Sequence, residues 1–151
     1  MTRRKAALAA AAVIAVACGG PAPDDPRVVA ELTHTLYGLV RVERLSPPVA
    51  SRLYAYASTS LYLGMASADP ARPAMANALN GLPEIPKAAR AGAADPTLTA
   101  LAAGRVTLDS LLRDALPTTR VAVAQLTDSL VAARVATGIG SAVQAESKAL
   151  G

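Results

Sequence analysis

Leucines recur along this chain at intervals of three and four residues, and the runs that carry them are cut by proline. The clearest run sets Leu98, Leu101, Leu108, Leu112 and Ala115 on one stripe until Pro117 stops it. That period belongs to a helix with one buried face, whereas a half-buried strand alternates with period two. No segment combines such alternation with β-branched enrichment. The chain is therefore expected to be all-α, a small helical bundle of five to six helices following a signal peptide.

The other segments follow the same logic. Residues 28–44 carry Val29, Leu32, Leu36, Leu39 and Val40 at helical spacing, with Arg41 and Arg44 suited to a C-terminal dipole. Ser46 is placed to cap a second helix whose first residue, Pro47, has no N–H to leave unsatisfied. Its expected buried face is Val49, Leu53, Tyr56, Ala57, Ser60 and Leu61, it runs to about Leu63, and Gly64 or Ala66 closes it. Asp69-Pro70 and Arg72-Pro73 mark a loop, residues 74–82 a short helix at best, and residues 84–95 an irregular connection. Asp95-Pro96 repeats the cap-then-proline signal and opens the leucine-striped helix. Thr118 or Thr119 is expected to cap the next, with Val123, Leu126, Leu130 and Ala133 buried as far as about Thr137. Gly138-Ile139-Gly140 reads as a turn, and residues 141–151 as the first turns of a last helix.

With no Phe, no Trp and only 3% aromatic residues in a chain that is 52% hydrophobic, such helices bury little area per side chain. Stability must come from close approach across small residues. At 151 residues the chain suffices for a single core.

The N-terminus reads as an export signal. Arg3, Arg4 and Lys5 precede an apolar run over residues 6–17 that is too short to span a hydrocarbon core, which takes roughly 20 residues. Ala15-Val16-Ala17-Cys18-Gly19 is open to two readings. In one it is a lipobox, and Cys18 becomes a lipidated N-terminus. In the other Ala15-Val16-Ala17 is an ordinary cleavage site. Two features favour lipidation: Cys18 is the one cysteine of the chain, and residues 19–26 are rich in Gly, Pro and Asp, as a tether is. The expected division is a signal peptide over 1–17, a flexible tether over 18–27 and a helical domain over 28–151. The expected location is the cell envelope, lipid-anchored on the extracytoplasmic side of a membrane.

The formal charge of +4 belongs largely to that leader. Removing its three basic residues from the 15 leaves 12 against 11 acidic ones. Singly scattered cations at near neutrality make nucleic acid a poor partner.

Residues for chemistry are scarce. His34 is the one histidine and lies early on a helix, without a Gly-x-Ser-x-Gly elbow anywhere. Glu31-Leu-Thr-His34 has the Glu-x-x-His spacing of di-iron bundles, but those need two such motifs, which one chain with a single histidine cannot supply. Tyr37, Tyr54, Tyr56 and Tyr62 are expected to be packing groups with hydroxyls at the surface. Arg105, Asp109 and Arg113 stand at i, i+4 spacing, suiting an ion pair at the core edge. No catalytic, cofactor-binding or metal-ligating residue is assigned, and Cys18 is the one site residue, as lipid anchor.

The run Arg41-Val-Glu-Arg-Leu-Ser-Pro-Pro-Val-Ala-Ser-Arg-Leu-Tyr-Ala-Tyr-Ala57, followed by Leu79-Asn-Gly-Leu-Pro83, resembles the N-terminal helical region of bacterial vanadium-dependent haloperoxidase-like proteins of the type-2 phosphatidic acid phosphatase superfamily. The similarity covers roughly residues 35–140. In that superfamily a Lys, an Arg-Pro pair, a Pro-Ser-Gly-His segment and a later Arg and His hold vanadate or phosphate, all C-terminal to the matching region. This sequence has no Ser-Gly-His and no histidine after His34; Arg72-Pro73 echoes the Arg-Pro pair without the lysine seven residues before it. The resemblance thus implies a helical portion incomplete relative to the family. As it stands the chain is expected to show neither haloperoxidase nor phosphatase activity, and vanadate or phosphate would enter only with the missing part. The alternative is a stand-alone envelope lipoprotein acting as a binding or scaffold module, and a weaker third a small-ligand carrier with a tyrosine-lined pocket between the first two helices. In the first case an apolar helix face should remain exposed, open to a protein partner or to self-association.

Overall fold

The computed structural model describes residues 24–73, 75 and 79–151. The expected signal peptide and Cys18 lie outside the described residues. The described chain is all-α, with five helices: α1 Pro26–Val42, α2 Pro47–Ala68, α3 Pro96–Leu111, α4 Pro117–Val135 and α5 Ser141–Leu150.

Helix α1 starts two residues earlier than expected, at the end of the expected tether, because Asp25-Pro26 is itself a cap-then-proline pair. The Asp25 carboxylate accepts from the Arg27 N–H at 3.0 Å. Its buried stripe is Val28, Leu32, Leu36 and Leu39; Val29 is exposed, one position off the expected register. The helix ends in a Schellman turn. Leu45 N–H donates to Val40 O at 3.0 Å and Arg44 N–H to Arg41 O at 3.3 Å, with Arg44 left-handed at φ 52°.

Helix α2 runs through the glycine expected to close it. Ser46 caps it by position without a side-chain hydrogen bond, and its last five residues, from Gly64 to Ala68, are all buried. A Cβ on Gly64 would lie 2.7 Å from both Ala100 Cα and Thr99 O, so this glycine is the point where the α2 and α3 backbones touch. Val49 and Tyr56, expected inside, are exposed; Ala50, Leu53, Ala57 and Leu61 form the buried face. The bundle is held by small residues where α2 and α3 cross and by leucines elsewhere, as Leu32, Leu101 and Leu108 illustrate with at most 2% exposure.

The α2–α3 connection is pinned rather than loose. Ala88 N–H donates to Ser67 O at 2.7 Å, and Ser67 Oγ donates to Pro86 O. The short helix expected over 74–82 falls partly outside the described residues, and residues 79–82 form a turn with Gly81 at φ 78°.

Helix α3 is the hub, packed against α2, α4 and α5. Its stripe is as expected: Leu98, Leu101 and Leu108 are buried within it, Leu112 follows as its C-cap, and Ala115 packs on the core. Helix α4 is capped at Leu116, not at Thr118 or Thr119, and buries Thr119, Val123, Thr127, Leu130 and Arg134, while Ala133 faces out. After a turn at Gly138, α5 completes ten helical residues, more than the decaying pattern suggested, because Ser147 is buried against α3.

Candidate functional site

A polar knot lies at the end of the bundle where the described chain begins. Asp95 caps α3, its carboxylate accepting from Leu98 N–H at 2.9 Å. Arg134, from α4, reaches the same carboxylate with Nε at 3.1 Å and Nη2 at 2.8 Å. Asp95 is 5% exposed and Arg134 8%, so this is a buried bidentate pair. Asp95 N–H donates to Ser147 Oγ of α5 at 2.8 Å, and that hydroxyl donates to Val143 O at 2.6 Å. Asp25 N–H donates to Thr97 Oγ1 at 3.3 Å, bringing the start of α1 to the same place. The hydrogen bonds to Asp95 raise the affinity of the Arg134 guanidinium for its proton above the ordinary arginine value. At the surface beside the knot, paired hydrogen bonds from Arg27 hold the Asp25 carboxyl below its ordinary value. The arrangement fastens four helices. The Ser147 hydroxyl gives its proton to a backbone carbonyl and makes no bond to a base.

The buried pair was not anticipated, although a trace of it is in the sequence. Arg134 stands four residues after Leu130 and eleven after Val123, in register with a core stripe, opposite an aspartate that opens a helix.

The residues weighed for chemistry are not brought together. His34 and Glu31 are both exposed on α1. Among the described residues no three His, Cys, Asp or Glu side chains converge as metal ligands would. Tyr54 packs against the core and Tyr62 donates its hydroxyl to Pro73 O at 2.8 Å, but Tyr37 and Tyr56 are 58% and 55% exposed, not the packing groups expected. Arg105 bonds Asp109 at 2.9 Å as its spacing implies, and also Thr127 Oγ1 at 2.6 Å and Asp128 at 3.3 Å, joining α3 to α4; Arg113 takes no part. Arg72 pairs with Asp24, so the Arg-Pro echo serves to hold the chain's entry point.

The opposite end of the bundle is different in kind. There the α1–α2 and α3–α4 turns meet, tied by Leu116 N–H donating to Glu43 Oε1 at 2.9 Å. Val42, Val49, Tyr56, Leu111 and Leu116 are between 42% and 61% exposed around these turns. Between α2 and the end of α3 lies a groove of about 320 Å³ with Leu53 and Leu112 in its floor. No helix among the described residues is long and apolar enough to cross a membrane.

These features define an all-α bundle with a buried ionic knot at one end and a cluster of exposed apolar residues around the turns at the other. No family model matches the chain, and no curated protein or solved structure matches it either.

Proposed function

We propose that this chain is an exported, lipid-anchored helical module of the cell envelope that works by docking at its apolar end. The observation that carries the reading is the cluster of exposed apolar residues, Val42, Val49, Tyr56, Leu111 and Leu116, around the turns opposite the end at which the chain enters the fold. Asp24 lies six residues on from Cys18, a reach of at most about 22 Å. An acylated Cys18 would thus keep the ionic end close to the lipid. The 17 residues of α1 carry the apolar end roughly 25 Å further out. There it is offered to a partner rather than to the bilayer.

The anchor is tested by expressing the whole precursor and its Cys18→Ser variant and separating membrane from soluble fractions. The reading expects acylated protein in the membrane fraction and loss of that fraction in the variant. Unacylated protein cleaved after Ala17 and released in both cases would overturn it.

A second reading keeps the resemblance to the N-terminal helical region of vanadium haloperoxidase-like enzymes. It is favoured by one observation: the run over 41–57 supplies Val42, Val49 and Tyr56, three of the exposed apolar residues, so the face would be the seat of the rest of such an enzyme. In that case vanadate or phosphate is held by groups beyond this chain. Turnover of bromide with peroxide, or of a phosphoester, by the purified chain alone would contradict the absence of catalytic groups that both readings assume.

A further inference from the structure

We propose that the groove between α2 and the end of α3 is the surface on which two copies of this chain pair, side by side on one membrane. The inference rests on the docking reading above and names the occupant. One wall is α2, with Val49 and Tyr56 46% and 55% exposed; the other is the end of α3 and the turn after it, with Leu111 42% exposed and Ala115 beside it. The α2 wall carries Arg52 and the other carries Asp114; Glu43, at the end of α1, also lines the groove, its carboxylate accepting from the Leu116 N–H. Neither Arg52 nor Asp114 is in an ion pair among the described residues.

Opposite charges on facing walls are what an isologous contact requires. A two-fold axis lying in the interface and running along the groove exchanges its two walls. Arg52 of one copy then meets Asp114 of the other, twice, while Tyr56 and Val49 cover Leu111 across the axis. A foreign partner would have to bring its own matched cation and anion; a second copy already has them. The direction of the axis agrees with the anchor. The groove follows α2 and α3, which run antiparallel along the bundle, so a two-fold along it leaves both entry points, near Asp24, at the same end. Two copies so related are anchored in one leaflet, where confinement raises their effective concentration.

The test uses the full chain in mild detergent, followed by sedimentation equilibrium, with Arg52→Asp, Asp114→Arg and the double exchange. The expected result is a dimer weakened about tenfold or more by each single reversal and restored when both are made. A wild-type monomer, unaffected single variants or a double variant no better than the singles would each overturn the pairing. Circular dichroism on each variant separates lost pairing from lost folding, and a photo-reactive residue at position 111 in cells provides a readout that does not depend on these variants. An adduct at twice the chain mass supports the proposal. An adduct of another mass overturns the second copy but leaves docking at this end standing, and no adduct overturns both.

Discussion

Asp25 and Asp95 are the same residue in the same role, an aspartate before a proline at the head of a helix, yet they do different work. Asp25 is near the surface, where Arg27 draws its carboxyl below the ordinary value of 3.8, first through side-chain hydrogen bonds. A carboxyl whose folded value is depressed contributes stability that is fully present above 3.8 and is lost as pH falls through the lower folded value. Asp25→Asn keeps an acceptor at the cap but removes the charge. Urea midpoints should therefore favour the natural chain at neutral pH and converge with the variant in acid. A difference that persists unchanged in acid would assign it to the cap's shape and not to its charge. Asp95 instead caps α3 from inside and receives an arginine from another helix.

At the scale of the element, helices are made here by two devices, and they were not equally legible. Proline-headed starts and leucine stripes are local, and α3 could be drawn from Leu98, Leu101 and Leu108 alone. The register of α1 could not, because Val28 and Val29 are adjacent, equally apolar, and both compatible with Leu32 and Leu36; only the neighbour decides. Small residues conceal the rest. Gly64 looks like a stop signal in sequence, but in the fold it lets two backbones meet, so α2 continues to Ala68. On α4 the core face is completed by Thr119, Thr127 and Arg134, whose polarity hides a stripe that partners on α3 make buriable. The contrast between two glycines tests this. Gly64→Ala drives a Cβ to 2.7 Å from backbone atoms that cannot step aside, and should cost about 1–3 kcal/mol or more by thermal or urea unfolding. Gly104→Ala meets only Leu61 Cδ2 at 3.0 Å, the end of a side chain that can turn, and should cost clearly less. Equal costs would mean that the α2–α3 crossing is not a tight contact.

For the whole molecule, the two ends are built differently. Near the chain's entry a buried ion pair, Asp95 with Arg134, is tied to four helices, and around the far turns five apolar side chains are left in the open. Of this the sequence alone conveyed the helical class. It could not convey the knot, whose members Asp25, Asp95, Arg134 and Ser147 are spread over more than a hundred residues and meet only when the helices have packed. The central claim is that the buried Asp95–Arg134 pair holds the fold together. Its most direct measurement is a double-mutant cycle in urea on Asp95→Ala and Arg134→Met. Asp95→Ala alone should cost about 3–5 kcal/mol, because it takes a bidentate carboxylate from a buried guanidinium. The double variant should be less damaged than the two single losses added together, by well over the roughly 0.5 kcal/mol expected of independent sites. Simple additivity would contradict it.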